Sequence, residues 1–94
     1  IGGLRIFEHK LYPNPMSDKI KIEFTSVVKT DVNISIYNIN GQKVWGKTDK
    51  SFAGSNHIIW NGKNMNESFL ASGIYFISLD DGHKIIKEKV TLIR

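Results

Sequence analysis

The chain has 94 residues, a formal net charge of +4 and no cysteine, and 40% of its residues are hydrophobic. A chain of this size buries roughly 60–70% of its unfolded surface, which suffices for one modest core and one domain. The lack of cysteine excludes disulfides and thiolate chemistry, and no apolar run approaches the ~20 residues of a membrane-spanning helix.

The first predicted elements are a linker, an irregular strand and a corner. Residues 1–3 have the composition of a linker, and residues 4–11 are compatible with a first strand. The Tyr-Pro-Asn-Pro run at residues 12–15 lacks two backbone donors, so it excludes helix or central strand and predicts a rigid corner. We expect residues 1–10 to be a linker with a possible first strand and residues 11–94 to form one domain.

Two stretches then alternate apolar and polar residues with the period of a strand that has one face in a core. The residues expected to face the core are Ile20, Ile22 and Phe24 in the first stretch and Val32, Ile34 and Ile36 in the second.

An Asn-Gly pair that ends at Gly41 predicts a β-hairpin, because both residues tolerate positive φ. A two-residue turn would pair Ile36 with Trp45. A three-residue loop, with Gly41 in the left-handed conformation, would instead pair Ile36 with Val44. We favour the second register because it places Val44 and Ile36 on one face, and a one-residue slip would break that face. The second strand of the hairpin is expected to weaken near Gly46.

The second half of the chain predicts three more strands. Residues 56–60 form a short strand, residues 74–79 are apolar on both faces as in a central strand, and residues 85–93 alternate. The connection at residues 63–73 is polar, with two expected apolar plugs, Met65 and the pair Phe69-Leu70. With about seven strands and turn residues every 8–12 positions, the chain is predicted to be all-β, an antiparallel immunoglobulin-like β-sandwich.

No arrangement of residues indicates catalysis. His9, His57 and His83 lie far apart, without the short spacing of a metal site, and are expected at the surface. No Gly-rich phosphate loop and no serine elbow is present, and Asp80 and Asp81 precede a glycine as turn residues do. We expect a protein without enzymatic activity, cofactor, metal or nucleic-acid partner.

Three aromatic residues leave an alternative open. Tyr37, Trp45 and Trp60 would suit a sugar-stacking platform if they were exposed together, although aromatic residues in strands more often pack in a core. The corresponding hypothesis is an immunoglobulin-like carbohydrate-binding module of a secreted hydrolase. A third hypothesis is a structural sandwich like that of a filament-capping protein.

Five pieces of sequence, taken in order, resemble the type A C-terminal sorting domain of type IX secretion substrates of Bacteroidetes. They are YPNP at residues 12–15, IYNINGQKV at 36–44, WNG at 60–62, SGIYF at 72–76 and the Lys-rich last strand. Many family members have a glycine in the loop before SGIY, where this chain has Glu67 and Ser68.

The resemblance covers residues 11–94 and implies a role. Such a domain ends a larger cargo protein, as the missing initiator Met also leads us to expect, and directs the cargo through the periplasm and outer membrane to the cell surface or beyond. The implied partners are the type IX translocon and a cell-surface sortase. The sortase usually removes the domain and can link the cargo to an anionic lipopolysaccharide.

Ten positions are candidates for motif or recognition residues. They are Tyr12, Pro13, Asn14, Pro15, Gly41, Gly73, Tyr75, Lys84, Lys87 and Lys89. We expect most of them to be scaffold, because proline rigidifies a corner and glycine supplies turns.

The last strand is the better candidate for contact with the secretion machinery. Four basic residues against one acidic residue give residues 83–94 a net charge of +3. Lys87 and Lys89 are expected on the solvent side, opposite Ile86 and Val90. The strand is expected at a sheet edge, where a receptor would read it by strand addition or by charge.

Overall fold

The computed structural model describes residues 6–94, apart from the side chain of Phe7. The strands of this part are β1 (Ile6–Tyr12), β2 (Ile20–Ser26), β3 (Thr30–Tyr37), β4 (Lys43–Ser51), β5 (Gly54–Trp60), β6 (Gly73–Asp80) and β7 (Ile85–Leu92). They form a three-stranded sheet, β1-β2-β5, and a four-stranded sheet, β4-β3-β6-β7, with antiparallel pairing throughout. The predicted immunoglobulin-like sandwich is confirmed. Within residues 6–94, no helix has the length and apolarity that crossing a membrane requires.

Period-two alternation decides which side chains fill the space between the sheets. The six inward positions predicted for β2 and β3 are all buried. The other buried hydrophobic residues are Ile6, Met16, Ile58, Trp60, Tyr75, Ile77, Leu79, Ile86, Val90 and Leu92. Each fully buried aliphatic or aromatic side chain contributes about 1.5–3 kcal/mol, so this cluster supplies the main stabilisation of the sandwich.

A bulge in β4 makes the favoured hairpin register wrong beyond its first pair. Tyr37 lies opposite Lys43, as a three-residue loop requires, but Ile36 lies opposite Trp45 instead of Val44. The extra residue lets Val44 and Trp45 both pack against the core. A regular strand would have turned one of these two consecutive side chains toward solvent.

The predicted weakening of β4 near Gly46 is also wrong. The ladder between β3 and β4 continues until Thr30 pairs with Ser51. Exposed charges on this stretch, such as Lys47, suit a strand at the edge of a sheet, where they discourage pairing with other chains.

The two expected apolar plugs, Met65 and the pair Phe69-Leu70, lie largely on the surface. Met65 and Phe69 are 63% and 67% exposed, and only Leu70 packs partly against the core. The exposed ring of Phe69 contacts two cations, with Lys63 Nζ at 4.7 Å and Arg94 Cζ at 4.6 Å from the ring centroid.

Candidate functional site

The proline-rich corner covers part of the free edge of β7. Both X–Pro peptide bonds of residues 12–15 are cis. The side-chain amide of Asn14 donates from Nδ2 to the carbonyl of Lys89 at 2.9 Å, and Asn14 Oδ1 accepts from the N–H of Thr91 at 3.1 Å. Asn14 therefore supplies hydrogen-bond partners to two backbone groups of β7, as the backbone of a neighbouring strand would.

Met16 extends this cover by backbone pairing. Its N–H donates to the carbonyl of Thr91, and its carbonyl accepts from the N–H of Ile93, both at 2.8 Å. The result is a short parallel bridge between Met16 and Leu92. The edge of β7 between Lys89 and Ile93 is thus occupied, and only its first half is left for strand addition.

Tyr12, the first residue of the corner motif, lies on the outer face of the three-stranded sheet. Its ring centroid is 5.1 Å from Lys10 Nζ and 5.9 Å from Lys21 Nζ. Exposed cation–π contacts contribute about 0.5–1 kcal/mol, so Tyr12 adds a modest stabilisation at the end of β1. Pro13 and Pro15 are exposed beside it.

Tyr75 belongs to the core and anchors the connection before β6. Its hydroxyl donates to the carbonyl of Ala71 at 2.7 Å, and its ring meets Trp60 edge-on, with centroids 5.9 Å apart. A tyrosine that bonds to the backbone just upstream is the tyrosine corner of immunoglobulin-like sandwiches. Gly73 begins β6, and a Cβ added to it would meet no atom within 4 Å.

Two loops at one end of the sandwich share a hydrogen-bond pattern that the sequence analysis missed. In residues 38–42, the Oδ1 of Asn38 accepts from the N–H groups two and four positions later, and Gly41 has φ +81°. In residues 64–68, Asn64 Oδ1 likewise accepts from the N–H groups two and four positions after it, and Glu67 has φ +62°. The shared Asn-x-Asn triplet, NIN and NMN, was the available sequence signal.

The second of these loops covers the edge of β4. The N–H of Met65 donates to the carbonyl of Val44 at 3.2 Å, and the N–H of Gly46 points at the sulfur of Met65 at 3.3 Å. Both edges of the four-stranded sheet therefore carry a covering segment near the same end of the molecule.

Arg94 clamps the connection between β5 and β6. Its Nη2 donates to the carbonyl of Gly62 at 2.6 Å and its Nε to the carbonyl of Leu70 at 2.7 Å. Gly62 has φ +74°, and a Cβ there would lie 2.6 Å from the same Nη2. The positive φ thus favours glycine in the WNG motif, and a larger residue there would also displace the Arg94 side chain from the carbonyl of Gly62.

The lysines of the last strand are exposed at the sheet edge. Ile86 and Val90 are buried, so Lys87 and Lys89 face solvent as predicted. Glu88 points to the opposite side, where its Oε2 lies 2.6 Å from Nε2 of His9. The outer face of β7 is consequently basic, and Lys84 extends this charge into the preceding turn.

Asp81 is a buried carboxylate in that turn. Its Oδ1 accepts from the N–H groups of His83 and Lys84, and its Oδ2 accepts from the N–H of Ile6, at 2.7–3.1 Å. Burial alone would raise the pKa of Asp81, but the three backbone N–H groups outweigh it and hold the pKa below its ordinary value. The turn assignment of the sequence analysis missed this link between β1 and the turn that joins β6 to β7.

Residues 6–94 contain no candidate metal centre, and they do not form the aromatic platform predicted from Tyr37, Trp45 and Trp60. No group of three or more potential metal ligands occurs there. Trp60 is fully buried and donates from Nε1 to the carbonyl of Lys63, so it cannot stack on a ligand beside Tyr37. His9, His57 and His83 are exposed, as predicted.

The family model described as "Secretion system C-terminal sorting domain" matches residues 10–93. The chain belongs to this family. The sorting domain is thus a type IX secretion signal, found in cargo proteins that are secreted across the outer membrane toward the cell surface or extracellular space. Domains of this kind are in general non-catalytic. A search of the curated proteins found no match.

Two solved structures from Porphyromonas gingivalis resemble the sorting domain in fold. The crystal structure of dimeric latent PorU is 15% identical with a TM-score of 0.72, and the match covers 90% of this chain and 9% of PorU. PorZ, described as an essential surface component of the type IX secretion system, is 19% identical with a TM-score of 0.64, covering 92% of this chain and 11% of PorZ. The sorting domain therefore spans about a tenth of each protein.

Proposed function

We propose that the type IX translocon recognises this sorting domain after it reaches the periplasm, and that a cell-surface sortase then removes it from its cargo. The domain has no catalytic activity, cofactor or metal of its own in this proposal. The supporting observation is the family match, which covers residues 10–93 and so includes both sheets.

Charge on β7 is the proposed means of recognition. Lys84, Lys87 and Lys89 are exposed on the last strand and its turn. The segment containing Asn14 and Met16 already occupies much of the β7 edge, which disfavours strand addition there. A receptor with an acidic surface would bind this strand with an affinity that falls as salt rises.

The other motif positions act as scaffold in this proposal. Asn14 satisfies the edge of β7, Gly41 allows the hairpin loop, and Tyr75 anchors the connection before β6. Pro13 and Pro15 hold the corner that presents Asn14. Their substitution would impair export through misfolding and not through lost contact.

The test is a fusion of residues 1–94 to the C-terminus of a periplasmic reporter in a host with type IX secretion. We expect the reporter on the cell surface or in the medium, with a lower mass where the sortase has cleaved it. The same fusion in a translocon-deficient strain should stay in the periplasm.

A destabilised fusion separates recognition of a folded domain from mere attachment of a tail. Ile22→Asp places a charge in the core and should unfold the domain, because a buried unpaired charge is strongly unfavourable. Retention of the wild-type fusion in the periplasm of the competent host would contradict the proposed function.

A further inference from the structure

We propose that a groove across the outer face of the four-stranded sheet binds an extended acidic segment of a partner protein. The segment carries two carboxylates four residues apart and an apolar residue midway between them. This inference deepens the proposed function, on which it rests where it takes that partner to belong to the secretion machinery.

A row of small residues forms the floor of the groove. Gly46 of β4 lies opposite Ser35 of β3, and Ser35 lies opposite Ser78 of β6. The row of small residues thus crosses three strands and ends at Lys87 of β7, which lies opposite Ser78. Two depressions of about 560 and 270 Å³ lie along it and share Asn33 and Ser35 as lining residues. The groove thus runs at right angles to the strands.

One wall of the groove is apolar. Tyr37 lies opposite Phe76 in the next row, and Ile39 of the hairpin loop lines the same depression. Phe76 and Ile39 are 38% and 70% exposed. Together with Ile85 on the other side, they offer contacts suited to an aliphatic side chain of a bound peptide, since ligand sites combine apolar walls with few polar groups.

A lysine lies at each end of the groove. Lys87 lines its β7 end, and the side chain of Lys43 lies over Gly46, where a Cβ would be 2.9 Å from Lys43 Nζ. The acidic lining residue, Asp80, lies in the neighbouring row, and its Oδ1 accepts from the N–H of Gly82 at 2.9 Å. The ends of the floor are therefore cationic.

The distance between these ends sets the spacing of the ligand. Three interstrand steps separate the position of Gly46 from that of Lys87, which corresponds to about 14 Å. Four residues of an extended chain also span about 13–14 Å and return to the same face. Carboxylates at positions one and five, with an apolar side chain at position three, therefore match both lysines and the apolar wall.

The hydroxyl of Ser78 is a hydrogen-bonding group that the groove offers to a ligand. Ser78 is 8% exposed and lines the groove, yet its hydroxyl has no hydrogen-bond partner within residues 6–94. A backbone group of a peptide lying on the groove floor would satisfy this hydroxyl.

The binding test uses the full 94-residue chain and a defined peptide, acetyl-Ser-Asp-Thr-Leu-Thr-Asp-Ser-amide. Backbone amide signals are followed by NMR as the peptide is added at low and at high salt. We expect shifts at Ser35, Tyr37 and Ser78 that weaken with salt. The same peptide with lysine in place of both aspartates should produce none.

Charge reversal at the groove ends supplies the sharpest comparison. Lys43→Glu with Lys87→Glu should weaken binding of the aspartate peptide at least about tenfold and should let the lysine peptide bind. Binding of the lysine peptide would also show that the variant is folded. Ser78→Ala should lower the affinity for the aspartate peptide about fivefold, which is the effect of losing one hydrogen bond. Lys19→Glu with Lys29→Glu changes the net charge equally outside the groove and should leave binding unchanged.

Several results would overturn the proposal. One is that the peptide shifts no NMR signals of the groove residues. Another is that dextran sulfate shifts these signals while the peptide does not, which would indicate a polysaccharide ligand. Shifts that depend on protein concentration alone would indicate a second copy of the chain.

Export separates this proposal from the proposed function. We expect the Lys43→Glu, Lys87→Glu reporter fusion to be retained while the Lys19→Glu, Lys29→Glu fusion is exported. Normal export of the groove variant would overturn the link to the secretion machinery and argue against recognition through Lys87, while the role of the domain as a secretion signal would still be decided by the wild-type fusion. Lack of export of the wild-type fusion would contradict the proposed function. The peptide titration would still decide whether the groove binds the aspartate peptide.

Discussion

Asn14 donates a side-chain hydrogen bond to the backbone carbonyl of Lys89, 75 positions later in the chain, at a distance of 2.9 Å. The same amide accepts from the N–H of Thr91. Unpaired edge strands invite association with other chains, and proteins cover them with loops or prolines. The Tyr-Pro-Asn-Pro motif thus covers the edge of the very strand whose outer face carries the exposed lysines.

Asn14→Ala should destabilise the domain by about 1–3 kcal/mol, because two hydrogen bonds to β7 are lost. The measurement is the free energy of urea unfolding, with size-exclusion chromatography to detect association through the uncovered edge. Asn66→Ala is the matched control, since Asn66 is exposed and its side chain makes no hydrogen bond within residues 6–94. Equal stability of the two variants would show that Asn14 contributes nothing at the edge.

The strand pattern was predictable from the sequence, whereas the covering contacts were not. Ile20, Ile22 and Phe24 alternate within one strand, so their burial follows from local periodicity. The bond from Asn14 to Lys89 joins segments far apart in sequence and leaves no local pattern. The β4 bulge was missed because a hairpin loop fixes register only until the next irregularity.

Gly41→Val should cost about 1–3 kcal/mol, because a β-branched side chain would be forced to φ +81°. A Cβ at Gly41 meets no atom within 4 Å, so the cost is one of backbone conformation and not of collision. Gly73→Ala separates the two causes, since Gly73 also has open space but no left-handed φ. We expect its unfolding midpoint to change by less than the equivalent of about 0.5 kcal/mol. An unchanged midpoint for Gly41→Val would argue against the left-handed conformation.

Glu67→Gly should stabilise the domain by up to about 1 kcal/mol, because Glu67 pays the cost of φ +62° that glycine avoids. The result also tests whether the loop at residues 64–68 has the conformation of the loop at residues 38–42. The measurement is the thermal unfolding midpoint of the wild type and of Glu67→Gly. Ser68→Gly is the control, since Ser68 has no left-handed φ. A stabilisation of both variants alike would contradict the assigned conformation.

Asp81→Asn should remove a pH-dependent part of the stability. The pKa of Asp81 is lowered in the folded state, since the N–H groups of Ile6, His83 and Lys84 bind the carboxylate despite its burial. The ionised form is therefore the one that stabilises the fold. This contribution is complete above the unfolded pKa of about 3.9 and is lost as the pH falls through the lower folded value.

The measurement for Asp81 is the unfolding free energy of wild type and Asp81→Asn between about pH 2 and pH 7. We expect a difference of about 3 kcal/mol at neutral pH, because the amide cannot accept the same bonds, and a smaller difference in acid. Asp18→Asn, at an exposed position without a hydrogen bond to its carboxylate within residues 6–94, is the control. A difference that does not vary with pH would contradict the lowered pKa.

Sequence patterns located the basic strand of the candidate site but not the groove beside it. The solvent-facing position of Lys87 follows from the burial of Ile86, its neighbour in an alternating strand. The groove floor requires Ser35 and Ser78 to lie in one row, and that register joins β3 and β6, which are not consecutive in sequence. Such long-range pairing is set by the packing of the whole sandwich.

Lys87→Glu with Lys89→Glu should leave folding largely intact and impair export. Both side chains are exposed on β7, and surface substitutions of this kind usually change stability by less than about 0.5 kcal/mol. Two lysines replaced by two glutamates change the charge of residues 83–94 from +3 to −1. An acidic receptor surface would then repel the strand that it attracts in the wild type. The measurements are thermal stability and export of a reporter fused to the same double variant.

Lys19→Glu with Lys29→Glu is the matched control, because it changes the net charge by the same amount at exposed positions outside β7. We expect its export to be normal. If the β7 variant were as stable as wild type and fully exported, charge recognition by this strand would be wrong. If its stability collapsed, the outward direction of Lys87 and Lys89 would be wrong, because only side chains turned toward Ile86 and Val90 would place the new carboxylates in the core.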